Sequence, residues 1–371
     1  MANPLTQRVK TFSLIITCLL LLIVCGLGGA LNRTEAQVRA YVTNPCENSI
    51  AIVDTSTNTV VGTITVPSLT LDVAITPDSR RAYFTTTFQD DAVIVVDTAT
   101  DTVITTIPVG DNPMGIEISP DGTRAYVANH ESNTISVINT ANNTVVATIP
   151  VGVRPSEIAL TPDGTKAYVI FGVSNQAVAV IDTATNTVIA TFPVSLAIGI
   201  AITPDGTRAY ITNEDVDTVT VVDTASNTVI ATIPTFFDPF YIAITPDGTR
   251  AYVTHADTLF PMVSVIDTAT NTVIAIIPIE GRSFLGIAIT PDGSRAYVTS
   301  VATSPIAVID TASNTVIANI PTITCSFKLA MISPVPRSKD DCKNQGYLEF
   351  GPPAGPFKNQ GQCIRYVNAH L

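Results

Sequence analysis

Three carboxylates interrupt apolar segments in which the chain otherwise repeats itself. Asp72 and Glu157 occupy one repeat position that otherwise holds Gly, Tyr or Leu, and Glu117 stands where other repeats carry Ala. Because the three belong to successive equivalent segments, they could converge at the mouth of a closed structure. Oxygen ligands in that arrangement would suit a hard cation such as Ca²⁺. The alternative is that they are solvated carboxylates in a water-filled channel.

A short aromatic segment is the second feature that could bind a ligand. The sequence FFDPFY at 236–241 brings together Phe236, Phe237, Phe240 and Tyr241 in a chain with only 6% aromatic residues. A flat apolar surface beside carboxylates suits a sugar ring or a partner protein. The alternative is that these rings fill a channel or pack against a neighbouring repeat.

No catalytic motif accompanies these residues. The sequence contains no Gly-x-Ser-x-Gly, no His-Glu-x-x-His and no P-loop. His130 and His255 end equivalent segments three repeats apart, which makes a poor metal site without further ligands. We therefore predict no catalytic residues, no metal held by histidine, and no cofactor other than the calcium considered above.

An Ala-Tyr pair recurs at intervals of about 42 residues and reveals the elements that must position these groups. The pairs begin at Ala40, Ala82, Ala125, Ala167, Ala209, Ala251 and Ala296. Each unit holds four short segments rich in β-branched residues, separated by turn sequences such as Pro-Asp-Gly-Thr and Asp-Thr-Ala-Ser-Asn. Seven such units predict an all-β fold, a seven-bladed β-propeller of four-stranded antiparallel blades, over residues 38–334. We name the strands of a blade A to D from the axis outward.

The first repeat begins at strand B, and the missing strand A follows the seventh strand D at 327–334. One blade should therefore combine three N-terminal strands with one C-terminal strand, which removes free sheet edges. Cys46 follows strand B of that blade and Cys325 precedes its strand A, so we predict a disulfide between them. The alternatives are that both stay reduced or pair with cysteines of the tail.

The turns of a propeller divide between two faces. The A–B and C–D turns repeat almost unchanged, and we interpret their Asp, Asn and Arg residues as turn formers; we call this side the repeat face. The B–C and D–A loops differ between repeats and form the variable face, where binding is expected. Its B–C loops are acidic and contain Glu47, Asp90, Asp91, Glu131, Glu214, Asp215, Asp217 and Asp257, and its few bases include Arg154 and Arg282. We select Asp215 and Asp217, beside the aromatic segment, as candidate contact residues.

The chain ends and the charge bear on location. Residues 1–36 combine basic residues, the apolar run 12–31 and small-residue cleavage sites, which predicts a signal peptide or, uncleaved, an N-terminal membrane anchor. Either outcome leaves the remainder outside the cytoplasm, in the periplasm, at the cell surface or secreted. Residues 335–371 should form a small module closed by a Cys342–Cys363 disulfide. The net charge of −12 argues against nucleic acid as a partner.

The motifs YVTN at 41–44, NTVIATIP and ITPDGTRAYVT resemble the YVTN-repeat propeller family, which includes YncE-like and surface-layer-type exported proteins. The resemblance implies a seven-bladed propeller outside the cytoplasm and no agreed reaction. Residues 341–363 resemble a short Cys-bounded module of exported bacterial proteins. We expect a binding or structural scaffold for a protein, glycan or small molecule, with no enzymatic activity. The rival is a propeller enzyme, such as a lactonase-like hydrolase or a quinoprotein-like oxidoreductase.

Overall fold

Seven four-stranded antiparallel sheets make up the fold, and they are arranged as blades around a ring. The structure is a computed structural model. It describes residues 38–87, 90–171, 177–257, 259–281, 284–300, 305–321 and 325–332. The predicted N-terminal segment 1–36, the tail module 335–371 with Cys342 and Cys363, and Arg282 lie outside the described residues. The predicted seven-bladed β-propeller is confirmed.

The blades are numbered from the N-terminus. The strands of blades 1 to 3 are β1 (Arg39–Asn44), β2 (Ser49–Asp54), β3 (Thr59–Thr65), β4 (Leu69–Ile75), β5 (Arg81–Thr87), β6 (Ala92–Asp97), β7 (Thr102–Pro108), β8 (Pro113–Ile118), β9 (Arg124–Asn129), β10 (Thr134–Asn139) and β11 (Thr144–Pro150). Those of blades 4 and 5 are β12 (Pro155–Leu160), β13 (Lys166–Phe171), β14 (Ala177–Asp182), β15 (Thr187–Pro193), β16 (Ala197–Ile202), β17 (Arg208–Asn213), β18 (Thr218–Asp223) and β19 (Thr228–Pro234), and a 3₁₀ turn spans Glu214–Val216. Blades 6 and 7 contain β20 (Pro239–Ile244), β21 (Arg250–His255), β22 (Met262–Asp267), β23 (Thr272–Pro278), β24 (Phe284–Ile289), β25 (Arg295–Ser300), β26 (Ile306–Asp310) and β27 (Thr315–Ile320), and β28 (Leu329–Ile332) completes blade 1.

Blade 1 closes the ring by joining the two ends of the described chain. Its strand order is β28-β1-β2-β3, and β28 pairs antiparallel with β1. Cys46 and Cys325 form a disulfide on the variable face, with Cα atoms 5.7 Å apart. The predicted strand offset and the predicted disulfide between these residues are both confirmed. The bond fastens the one blade whose strands come from distant parts of the sequence.

The two turn sequences of the repeat face form for identifiable local reasons. In the A–B turns of blades 3 to 7 the glycine takes a left-handed conformation, as Gly206 does at a φ of 73°. In the C–D turns an asparagine does so, as Asn227 does at a φ of 55°, except in blade 2, where Asp101 takes this place. The aspartate that opens the same turn, Asp223, accepts a hydrogen bond from the backbone N–H of Ser226 at 2.8 Å. These contacts support the interpretation of these residues as turn formers.

Adjacent blades are also joined by a tyrosine, and this role was missed in the sequence. The hydroxyl of Tyr210 in blade 5 donates to Asn271 Oδ1 in the C–D turn of blade 6 at 2.7 Å. The same bond recurs from Tyr83, Tyr168, Tyr252 and Tyr297, and Tyr41 bonds to Asp101 in the equivalent turn. All seven tyrosines of the Ala-Tyr pairs are buried. The turn asparagine is therefore both a turn former and an acceptor for the preceding blade.

The seven A strands enclose the axis. Each A strand contacts the A strands of both neighbouring blades. Alanines on these strands, such as Ala243 and Ala288, keep part of their surface exposed although they lie innermost in their blades. A solvent-accessible channel therefore runs along the axis, and the variable face lies at one end of it. Within the part of the chain that the structure describes, no helix is long and apolar enough to cross a membrane.

Candidate functional site

One position of the A strands faces the channel in every blade, and we call the seven residues there the axial ring. The pairing of the A and B strands sets the register: Phe84 pairs with Val73 in blade 2, and Val42 pairs with Leu329 in blade 1. In each blade, the ring residue is the one that directly precedes the A-strand member of this pair, which is Val73 in blade 2 and Leu329 in blade 1. In blade order the ring is Lys328, Asp72, Gly115, Glu157, Gly199, Tyr241 and Gly286.

This register corrects one assignment made from the sequence. Counting back from the Ser-Pro that follows the last A strand puts Leu329 at the position of Asp72. The observed pairing puts Lys328 there instead. Six A strands have a β-bulge at or beside the ring position, as between Thr70 and Val73, so counting residues does not preserve their register. Lys328 is the site residue that was not identified from the sequence. The sequence indicates it only by placing a charged residue in an otherwise apolar strand.

The three glycines of the ring are required by close packing between blades. A Cβ atom on Gly115, Gly199 or Gly286 would lie no farther than 2.8 Å from a backbone oxygen of the next blade. Because such contacts do not occur, each glycine lets the following A strand approach. The residues that follow these glycines around the ring are Glu157, Tyr241 and Lys328.

Threonines of the B strands hold the same backbone from the other side. Thr43, Thr85, Thr212, Thr254 and Thr299 donate a hydrogen bond from Oγ1 to the carbonyl oxygen just before the ring position of the next blade, at 2.5 to 3.0 Å. The ring residues are thus mounted on backbone that is fixed by both packing and hydrogen bonds.

The ammonium of Lys328 is the centre of the site. Its Nζ lies 2.9 Å from Glu157 Oε2, 3.9 Å from Asp72 Oδ1 and 3.8 Å from the centroid of the Tyr241 ring. These partners come from blades 4, 2 and 6, so the lysine of blade 1 reaches to the axis. Asp72 is fixed in turn, because its Oδ2 accepts the backbone N–H of Ile116 in blade 3 at 3.1 Å.

Aromatic rings lie beside this cation. The ring centroids of Tyr241 and Phe327 are 6.4 Å apart in an edge-to-face arrangement, and those of Phe240 and Tyr241 are 5.0 Å apart. Tyr241 belongs to blade 6 and Phe327 precedes β28 of blade 1, with blade 7 between them. Their rings therefore meet over the channel rather than between adjacent blades. The mouth has charged groups from blades 1, 2 and 4 and an aromatic wall from blades 6 and 1.

Burial and mutual charge determine the protonation of these groups. Glu117 lies one layer deeper than the ring, at the position of Ala74. Burial, with the charges of Asp72 and Glu157, raises the pKa of Glu117 to about 8. Burial also raises the pKa of Glu157 to about 7, although Lys328 opposes the shift. Glu117 is therefore largely protonated at neutral pH.

Lys328 and Tyr241 keep their protons more firmly than usual. Burial alone would lower the pKa of Lys328, but the carboxylates of Asp72 and Glu157 outweigh it and raise that pKa. Burial raises the pKa of the Tyr241 hydroxyl, with Lys328 opposing the effect. The site therefore presents an ammonium, a phenol and carboxyl groups as hydrogen-bonding partners.

The candidate residues chosen from the sequence separate into two places. Asp72, Glu117, Glu157, Tyr241 and Phe240 gather at the channel. Phe236 and Phe237 point into solvent on the loop before β20, with Phe237 57% exposed. Asp215 and Asp217 lie on the B–C loop of blade 5, beside that loop. The aromatic segment thus contributes one pair of rings to the channel mouth and one to the outer surface.

The histidines are engaged in local contacts. Nδ1 of His255 lies 2.8 Å from the carbonyl oxygen of Phe237, and its Nε2 lies 2.8 Å from Ser264 Oγ. Nδ1 of His130 lies 3.3 Å from the carbonyl oxygen of Pro155. Among the described residues, no three His, Cys, Asp or Glu side chains are grouped so as to hold a metal ion. Calcium binding by the axial carboxylates stays a prediction.

Comparisons with known proteins support the fold. Hydrazine synthase from Kuenenia stuttgartiensis is similar over 73% of this chain and 92% of its own, with 25% identity and a TM-score of 0.67. A functionally unknown protein from Desulfotomaculum acetoxidans matches 79% of this chain and 98% of its own, at 19% identity and a TM-score of 0.70. The dihydro-heme d1 dehydrogenase NirN matches 79% of this chain and 74% of its own, at 14% identity and a TM-score of 0.60. The last two likenesses show the fold alone. No family model and no curated protein matches the chain.

Proposed function

We propose that this chain is an extracytoplasmic binding propeller that takes a small hydroxylated ligand, such as a sugar ring, at the mouth of its channel. The observation that carries the proposal is the Lys328 ammonium, held on the axis by Glu157, Asp72 and Tyr241. Charged side chains are rarely buried to this extent in proteins. In three other blades of this chain, glycine occupies the equivalent position. The position of these charged groups at the variable-face end of the channel suits ligand recognition.

The ligand class follows from the two sides of the mouth. A sugar ring has an apolar face of C–H groups and an edge of hydroxyls. Tyr241, Phe240 and Phe327 offer an aromatic wall for the first, while Lys328 and the carboxyl groups offer donors and acceptors for the second. The opposite charges are already paired within the site, which favours a neutral ligand over a free ion.

Binding is favoured over catalysis by the state of the lysine. A raised pKa keeps Lys328 protonated, so it is a donor and not an amine nucleophile. The location outside the cytoplasm is supported by the Cys46–Cys325 disulfide, since such bonds persist in oxidising compartments. The resemblance to YVTN-repeat propellers supports the same location.

Ligand-observed NMR and calorimetry test the proposal. The probes are methyl glucoside, N-acetylglucosamine and glucuronate, offered to the purified full-length chain. We expect saturable binding that weakens at least tenfold in Lys328→Met. Lys166→Met is the matched control, because Lys166 donates to Thr224 O on the repeat face. Absence of saturable binding by every probe would contradict the proposal.

A hydrolase of the lactonase type is the second candidate. It is favoured by one observation: Glu117 and Glu157, with pKa values raised to about 8 and about 7, could exchange protons near neutral pH. The test is hydrolysis of γ-butyrolactone and an acyl-homoserine lactone by the wild-type chain and by Glu117→Gln. Turnover that Glu117→Gln removes would favour the enzyme over the binding protein.

A further inference from the structure

Three neighbouring loops of the variable face carry a concentrated apolar surface, distinct from the channel. They are residues 214–217 in the first loop, 235–238 in the second, and 256–257 with 259–261 in the third, and we call the exposed surface of these residues the blade 5–6 patch. Its exposed apolar side chains are Val216, Phe236, Phe237, Leu259 and Phe260. Among the described residues, the other exposed large hydrophobic side chains lie on the D strands, except Val153. The exposed aromatic rings of the described residues are all in this patch.

The backbone under the patch is braced. Thr235 N–H donates to Asp217 O at 2.9 Å, and Ala256 N–H donates to Asp238 O at 2.9 Å, so the middle loop is bonded to both others. The buried ring of His255 lies against the carbonyl oxygen of Phe237 and meets the Phe236 ring edge-to-face at 6.4 Å. The exposed rings are therefore presented by fixed loops, which lowers the entropy lost on binding.

The charge around these rings has one sign. The three loops contain Glu214, Asp215, Asp217, Asp238 and Asp257 and no lysine or arginine. Within the described residues, none of these five carboxylates is paired with a lysine or arginine. Burial, with the charges of Asp238 and Asp215, raises the pKa of Glu214. The carboxylates thus repel one another and are not neutralised by described bases.

We propose that the blade 5–6 patch docks a partner protein through a basic segment that carries aromatic or branched aliphatic side chains. Exposed apolar side chains ringed by polar groups are typical of protein interfaces, in which aromatic anchors supply most of the binding energy. The uncompensated carboxylates require cations from the partner. Lysine and arginine beside an apolar anchor satisfy both features at once.

Charge complementarity also favours this partner over other molecules that could cover the blade 5–6 patch. A second copy of the chain would bring the same five carboxylates against one another. An anionic lipid surface would be repelled in the same way. A basic segment is attracted, and because the carboxylates lie at the rim, salt should slow its association and weaken its binding.

Peptide display on the purified full-length chain tests the proposal. Random 12-residue peptides are selected on the wild-type chain, and their affinities are measured by fluorescence polarisation. We expect recovered peptides to combine Lys or Arg with Phe, Trp, Leu or Ile. They should bind at least tenfold more weakly to each of two double variants, one with Phe237→Ser and Phe260→Ser and the other with Asp215→Lys and Asp217→Lys. The same loss of affinity is expected for the wild-type chain at high salt.

The same face supplies the matched controls. Val153→Ser removes an exposed apolar side chain and Glu131→Lys reverses an exposed carboxylate on other loops, and both should leave the affinity unchanged. Peptides without basic enrichment, or equal affinity for the patch variants, would overturn the proposal. So would a dimer in sedimentation that the Phe237→Ser, Phe260→Ser variant dissociates, because the patch would then be a contact between copies.

Discussion

Lys328 Nζ donates a hydrogen bond to Glu157 Oε2 at 2.9 Å, although the two residues are 171 positions apart in the chain. The bond joins the closing strand of blade 1 to the inner strand of blade 4, on the far side of the channel. Both side chains are largely buried, with exposed fractions of 16% and 11%. The lysine therefore binds the ring together across its axis while it forms the centre of the candidate site.

Removing the lysine should destabilise the protein more than removing its partner. Lys328→Met leaves Asp72 and Glu157 buried without a cation, and unpaired buried charges cost about 3 kcal/mol or more in the free energy of unfolding. Glu157→Gln leaves the lysine with Asp72, so the expected loss is smaller. Denaturant unfolding of both variants and of the double variant checks this. Additive losses would mean that the two side chains are not energetically coupled.

Raising the pH should destabilise the protein through Glu117. Its folded pKa of about 8 lies above the ordinary value, so the folded state keeps a proton that the unfolded state has released. The free energy of unfolding is therefore highest below the unfolded-state pKa of Glu117, and this stability is lost as the pH rises through the folded-state pKa. The loss is up to about 1.4 kcal/mol per pH unit for one proton. Glu117→Gln should flatten this dependence between pH 5 and 8 in urea unfolding, whereas Glu131→Gln, an exposed carboxylate, should not. An unchanged slope in Glu117→Gln would show that the proton is held elsewhere.

Breaking the Cys46–Cys325 bond should weaken the closure of the ring. The bond spans 279 residues, and in the chain-entropy model such a loop contributes about 5.6 kcal/mol by restricting the unfolded state. Cys46→Ala, Cys325→Ala should lower the unfolding midpoint, and a reductant should lower that of the wild-type chain in the same way. The double variant is the control for the reductant, because any shift that remains in it comes from cysteines other than Cys46 and Cys325. A wild-type midpoint that is insensitive to reduction would contradict a role in stability.

The tyrosine bonds between blades should have a measurable energy. Tyr210→Phe removes the donor to Asn271 Oδ1 and leaves that acceptor without its partner, at about 1 kcal/mol. Tyr126→Phe is the matched control, because among the described residues the equivalent acceptor, Asn186 Oδ1, has no hydrogen-bond partner. The difference between the two unfolding free energies gives the contribution of the Tyr210 hydroxyl, which bonds to Asn271 Oδ1 and also lies 3.2 Å from Thr268 O. Equal losses in both variants would show that only the packing of the rings matters.

The blade architecture could be predicted from the sequence because its causes are local. The Ala-Tyr pairs, the β-branched segments and the Pro-Asp-Gly and Asp-Thr turns each specify a short stretch of backbone, and their repetition specifies the whole. The offset of one strand followed from the first repeat lacking strand A, and it led directly to the pairing of Cys46 with Cys325. The nearness of Asp72, Glu117 and Glu157 followed from the same repetition.

The centre of the site depended on tertiary structure. Lys328 joined the ring only through the pairing of β28 with β1, since the bulges in the A strands place two residues opposite one and break the count along the chain. The separation of FFDPFY into Tyr241 at the channel and Phe237 in solvent depended on how blades 5 and 6 meet. Local sequence preferences act over a few residues, whereas an ion pair across a channel needs seven blades closed around one axis.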